Sequence, residues 1–153
     1  MAQKGTILVV DDELGPRESL RMILKPLYNV YTASDGEEAL QYLKGEENFD
    51  LVTLDLKMPG LNGIDVLREI KSLHLDTAVV IITGFGTLPN AHEAIRYGAV
   101  DFISKPFNVT DIIAIVSKSI ERRNYNKKIN NLIQQIKSLR AMEDHEVEAL
   151  LKN

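Results

Sequence analysis

Four places in this chain carry side chains that could act together. Asp11, Asp12 and Glu13 follow the apolar run TILVV, Asp55 closes LVTL, Thr83 closes AVVII, and Lys105 comes just after VDFI. A carboxylate at the end of an apolar run is costly to bury unless a positive charge meets it. Three carboxylates brought together repel one another and need a cation to stay ionised at neutral pH. Oxygen donors suit a hard divalent ion such as Mg²⁺, which keeps several waters and needs only two or three carboxylates and a backbone carbonyl. The Lys105 ammonium would supply a second positive charge, and Thr83 a hydroxyl. A carboxylate flanked in this way is equipped to receive a phosphoryl group: it attacks as nucleophile while the cations stabilise the developing charge. Taken singly, each feature has an ordinary reading. An acidic pair often opens a helix, a terminal Thr caps a turn, and Lys-Pro marks a surface turn. It is their conjunction at four run ends that points to a site.

The elements that must position these groups are legible in the pattern. Short β-branched runs recur at 6–10, 30–33, 51–54, 78–82 and 100–103. Most are continuous rather than alternating, as in strands covered on both faces. Between them lie helical patterns. Pro16 sits in the first turn of one, with Leu20, Ile23, Leu24 and Leu27 on a stripe. Ser34-Asp35-Gly36-Glu37 resembles a capping box. Ile64, Leu67 and Ile70 mark a third helix, and Thr87-Leu88-Pro89 opens a fourth bearing Ala91, Ala94 and Ile95. The fifth begins near residues 109–111. This alternation predicts an α/β, doubly wound (βα)₅ protein with a five-stranded parallel sheet and helices on both faces. Sites in such sheets form at the carboxyl ends of strands, where all four features fall.

With 153 residues, 44% hydrophobic and 26% charged, the chain suits one domain with length to spare. A formal net charge of −4 argues against a strongly basic nucleic-acid binder. Without cysteine, disulfides, thiol catalysis and cysteine-ligated metals are excluded. No stretch reads as a signal peptide or reaches the roughly 18 apolar residues of a membrane span, so the expectation is a soluble, cytoplasmic protein without membrane contact.

Charge divides the chain. Residues 1–121 hold 11 Lys and Arg against 18 Asp and Glu, while 122–153 hold 7 against 4, with no acid over 122–142. After Pro106 neither Gly nor Pro occurs, so the fifth helix has no breaker. Tyr125, Ile129, Leu132, Ile136 and Leu139 are spaced 4, 3, 4, 3, a heptad seam that fails at Glu143 and Glu146. Val147, Leu150 and Leu151 restart an apolar pattern in another phase. The expectation is a body over 1–121 and a helical extension over 122–153, serving as a coiled-coil linker or homodimerisation segment. The alternative is a helix folded back on the body. Arg122, Arg123, Lys127 and Lys128 read as a solvated helix face rather than a nucleic-acid contact.

Taken in order, ILVVDDE, LVTLDLKMPGLNG, IITGFGT and DFISKPF resemble the receiver (response regulator) domain of two-component signalling, over residues 5–121. The resemblance implies a flavodoxin-like sheet of order 2-1-3-4-5. It implies Asp55 as phosphoacceptor, and Asp11 and Asp12 as the pair that organises Mg²⁺ with Asp55 and the backbone carbonyl of Lys57. Thr83 then corresponds to the switch hydroxyl, Lys105 to the lysine that pairs with the phosphoryl group, and Phe102 to the switch aromatic. A cis bond is implied before Pro106. The implied donor is the phosphohistidine of a sensor histidine kinase, followed by self-catalysed hydrolysis rather than turnover of small substrates. The side chains of Lys57 and Phe85 are implied to tune that hydrolysis, a bulky Phe85 slowing it. ITGFGT and the long extension most resemble receivers of enhancer-binding transcription activators. No Walker or helix-turn-helix pattern occurs in the 153 residues, so the expectation is either a piece of a longer regulator with an output domain beyond residue 153 or a receiver whose helical tail acts on a partner.

Rival readings fit less well. A dehalogenase-like phosphatase generally places a second Asp two residues after its nucleophile, where this chain has Lys57. A flavodoxin-type cofactor binder needs a Ser/Thr/Gly-rich phosphate loop where this chain has DDELGP. A phosphorylation-independent adaptor with the same fold is the remaining alternative. His74, His92 and His145 are expected at the surface, outside the site.

Overall fold

The computed structural model describes residues 4–73, 75–84 and 87–152, apart from the side chain of Leu88. Five strands alternate with five helices: β1 (Thr6–Val10), α1 (Leu14–Leu24), β2 (Asn29–Ala33), α2 (Gly36–Lys44), β3 (Leu51–Leu54), α3 (Gly63–Ser72), β4 (Ala78–Thr83), α4 (Leu88–Arg96), β5 (Asp101–Ser104) and α5 (Val109–Leu151). The strands pair in parallel in the order β2-β1-β3-β4-β5, as expected.

Why the apolar runs are continuous is visible in the layers. Alternate residues of β1 and β3 serve opposite faces: Leu8, Val10, Val52 and Leu54 pack toward α2, α3 and α4, while Ile7, Val9 and Leu51 pack toward α1 and α5. Only strands buried on both faces need both sets. β1, β3 and β4 are buried throughout, whereas edge strand β2 alternates between exposed and half-buried positions before Ala33.

Helices α2 to α5 start at side-chain caps, whereas α1 has none at Glu13. Asn62 and Asp65 form a reciprocal capping box on α3, and Thr87 and Asn108 cap α4 and α5. At α2 the cap is Asp35, which accepts from the Glu38 amide, while the Glu38 carboxylate reaches back to Ser34. The cap is therefore shifted by one residue from the expected Ser34-to-Glu37 frame, and Glu38 closes on Ser34 rather than on the amide of the cap residue. Two apolar positions also leave their expected stripes. α1 stops at Leu24, so Leu27 lies beyond it and is exposed, and Ile95 points to solvent from α4.

α5 runs unbroken for 43 residues, about 65 Å at 1.5 Å per residue. Its first turns bury Ile112, Val116, Ser119 and Ile120; residues 124–152 are all exposed, so the helix is not folded back on the body. One basic residue departs from the expected solvated face. Arg123 turns to the body, donating from Nη1 to Asp50 and from Nε to the carbonyl of Asp76. It anchors α5 where the helix leaves the sheet.

Candidate functional site

The ladder hydrogen bonds run one residue past the strands and carry the functional residues with them. Asp11 N–H donates to the carbonyl of Ala33, Asp55 N–H to that of Val10, and Lys105 N–H to that of Thr83. Each side chain is therefore placed by the register of a paired strand, not by a loose loop. The floor is fixed by close approach. Gly63 opens α3 against the backbone of Asp55 and Leu56, where an added Cβ would lie 2.3 Å from the Asp55 carbonyl oxygen.

Asp55 is 4% exposed, yet three groups donate to it. Thr83 Oγ1 donates to Oδ1 at 2.6 Å, the Lys57 amide to Oδ1 at 3.2 Å, and Lys105 Nζ to Oδ2 at 2.9 Å. The same ammonium reaches Asp11 Oδ2 at 2.6 Å. Asp11 also accepts from the Glu13 amide, and its carbonyl accepts from Arg17. The bond between Lys105 and Pro106 is cis, as expected. Carboxylate oxygens of Asp11, Asp12, Glu13 and Asp55 all lie within 4.8 Å of one another.

The electrostatics follow from that crowding. Burial pushes the Asp11 carboxyl above its usual range, and hydrogen bonds from Lys105 and the Glu13 amide offset this only in part. For Lys105 burial acts to lower the pKa, but the hydrogen bonds and charges of Asp11 and Asp55 outweigh it and hold the ammonium above its ordinary value. Lys105 bonds Asp11 and Asp55, and the carboxylates of Asp12 and Glu13 add negative charge beside them. A hard oxygen donor set of that size and charge fits a divalent cation of the Mg²⁺ type. The cluster opens into a shallow cavity of about 440 Å³ lined in part by Asp12, Lys57, Met58, Gly84 and Lys105.

The family model for the response regulator receiver domain matches residues 7–117. The chain belongs to that family. The transcriptional regulatory protein FixJ of Bradyrhizobium diazoefficiens is 37% identical over 123 residues, covering 80% of this chain and 60% of that protein. The sporulation initiation phosphotransferase F of Bacillus subtilis is 36% identical, covering 73% of this chain and 90% of its own. Among solved structures, NtrX of Brucella abortus superposes with a TM-score of 0.79 at 35% identity, over 85% of this chain but 30% of that one. The receiver thus accounts for only part of several relatives.

Within the receiver, Asp11, Asp12, Asp55, Thr83 and Lys105 come together as expected, and Lys57 reaches the cavity rim. Phe102 does not join the carboxylate cluster; it is half-buried on β5 and packs against the layer of α2–α4. His92 and His145 are exposed; Phe85 and His74 lie outside the described residues. Sequence reasoning missed Arg17, whose guanidinium holds the loop of Asp11 at 2.8 Å. A basic residue one turn into a helix after an acidic run was the available signal. Among the described residues, no helix is long and apolar enough to cross a membrane.

Proposed function

We propose that this receiver takes a phosphoryl group on Asp55 from the phosphohistidine of a sensor histidine kinase, with Mg²⁺ bound by Asp11, Asp12, Asp55 and the carbonyl of Lys57. The observation that carries the reading is one buried carboxylate contacted by both an ammonium and a hydroxyl at the open edge of the sheet. Asp55 attacks phosphorus, the P–N bond to the kinase imidazole breaks, and the imidazole leaves with a proton. Bound Mg²⁺ supplies charge neutralisation to the phosphoryl oxygens. Lys105 exchanges part of its contact with Asp55 for a phosphoryl oxygen, and Thr83 donates its hydroxyl hydrogen bond to another. Water later attacks phosphorus, breaking the bond to the Asp55 oxygen, releasing inorganic phosphate and returning the carboxylate.

The two hydrogen bonds that Thr83 and Lys105 now make to Asp55 are the ones phosphorylation must redirect. Each lies at the end of β4 or β5, so their movement alters the surface of α4, β5 and α5, with Phe102 as the aromatic that repacks. The output passes through α5 to a partner or output domain. Relatives named as transcriptional regulators favour control of transcription, by a cytoplasmic homodimer whose own segment leaves nucleic acid to other parts. This chemistry is self-modification, not turnover of a small substrate.

Intact mass after incubation with Mg²⁺ and acetyl phosphate tests the reading. One added phosphoryl group is expected in the wild type and none in Asp55→Asn. A wild type that gains nothing, and binds no beryllofluoride, would replace this reading with that of a phosphorylation-independent adaptor.

A further inference from the structure

Beyond the body, α5 carries an apolar seam with no cover among the described residues: Tyr125, Ile129, Leu132, Ile136 and Leu139 are all exposed, Leu139 at 62%. Isolated, such a stripe on a single helix is unstable against association. The seam begins on the outer side of the body, since Lys118 and Arg122 are exposed where Ile112, Val116 and Ile120 are buried. A second helix can therefore lie along it without displacing the sheet.

The charges flanking the seam choose the orientation of that helix. In heptad terms Ile129, Ile136 and Glu143 share one seam position with Arg122, while Tyr125, Leu132, Leu139 and Glu146 share the other. In a parallel pair each residue faces its own copy. Three layers would then oppose like charges: Arg122 on Arg122, Glu143 on Glu143 and Glu146 on Glu146. In an antiparallel pair the two seam positions face each other. Centred at Gln134, Ile129 meets Leu139 of the second copy, Leu132 meets Ile136, Tyr125 meets Glu143, and Arg122 meets Glu146. Sliding by one heptad sets Arg122 against Leu139 in one direction and Glu146 against Ile129 in the other. The register centred at Gln134 sets Ile129, Leu132, Ile136 and Leu139 against one another and pairs Arg122 with Glu146 at both ends, leaving Tyr125 beside Glu143; its advantage is the charge pairing.

We infer that α5 associates with a second copy of itself as an antiparallel two-helix pair centred at Gln134, with Arg122 and Glu146 pairing at both ends. The inference rests on the homodimer reading above and adds its orientation. Its consequence is geometric: the two bodies leave the pair at opposite ends, about 33 Å apart along the axis between the Arg123 positions, rather than side by side.

The chain has no cysteine, so single-cysteine variants report orientation cleanly. Ile129→Cys and a size-tagged Leu139→Cys are mixed and oxidised, then run without reductant. The antiparallel register predicts the mixed-size band and loss of both same-size bands. Same-size bands without the mixed one would overturn the orientation and leave the dimer standing. A chain that sediments as a monomer and cross-links in neither way would overturn the dimer reading itself. A second measurement does not depend on oxidation. Arg122→Glu should weaken self-association severalfold, and adding Glu146→Arg should restore it. No change with Arg122→Glu would fit a parallel pair, in which one like-charge layer merely replaces another, and would overturn the inference.

Discussion

Strand β3 is four residues long and has an aspartate immediately outside each end, Asp50 and Asp55. The two live under opposite rules. Asp50 accepts from the Thr6 amide on Oδ2 and from Arg123 on Oδ1, so one carboxylate meets one guanidinium and both oxygens are engaged. Asp55 is more deeply buried, with its side chain 5% exposed against 25% for Asp50, yet it shares the Lys105 ammonium with Asp11 and lies within 4.8 Å of carboxylate oxygens of Asp12 and Glu13 as well. Burial by itself does not separate a structural charge from a chemical one; the local charge balance does. A matched pair holds the fold, and an unmatched cluster waits for a cation.

The largest effect expected from breaking this contrast comes from the floor of the site. Gly63→Ala forces a methyl group against the backbone of Asp55 and Leu56, where nothing flexible can yield. A loss of about 3 kcal/mol is expected in urea unfolding. A loss well under about 1 kcal/mol would mean that α3 and the end of β3 separate freely.

At the balanced end, Asp50→Ala strips two hydrogen bonds, one of them from a guanidinium, and is expected to cost about 2 kcal/mol while Asp55 still takes up phosphoryl from acetyl phosphate. Loss of phosphorylation in a folded variant would tie the two ends together instead. The opposite sign is expected at the surplus end. Asp12→Asn relieves repulsion with Asp11, Glu13 and Asp55, so in Mg²⁺-free, low-salt buffer it should stabilise by about 1 kcal/mol. The same variant should lose most of the rise in Tm that Mg²⁺ produces in the wild type. If removing either carboxylate shifts stability in the same direction, charge balance is not what distinguishes the two ends.

How much of this was legible beforehand follows the range of the interactions. Strand ends are local, so Asp11, Asp55, Thr83 and Lys105 could be placed from apolar runs alone, and the sheet order followed from the motifs around them. Arg123 looks solvated in the sequence because its partner Asp50 is 73 residues away, and nothing local announces that contact. The cap of α2 was misplaced by one residue because Ser34 and Asp35 are both good caps, and packing rather than propensity decides between them. Gly36 shows that packing: a Cβ there would meet Leu61 and Val66 within 3 Å. Ile95 and Leu27 were drawn into stripes by spacing, but the body leaves both outside.

Between the two aspartates, Thr53 offers the smallest and most discriminating test. It pairs with Val9 on one side and Val80 on the other, in the layer facing α1 and α5, and is 1% exposed. Among the described residues its Oγ1 has no hydrogen-bond partner, so the strand holds a desolvated hydroxyl that neither end of β3 satisfies. Valine has the same branched outline without that cost, and Thr53→Val is expected to raise stability by about 0.5 kcal/mol. If β3 simply joins two separately balanced ends, the substitution should leave both the Mg²⁺-induced rise in Tm and the phosphoryl uptake of Asp55 unchanged. A stabilised variant with altered uptake would show instead that the strand interior couples the two ends. Destabilisation would mean that the hydroxyl is satisfied in solution, by a water held between β3 and the helices.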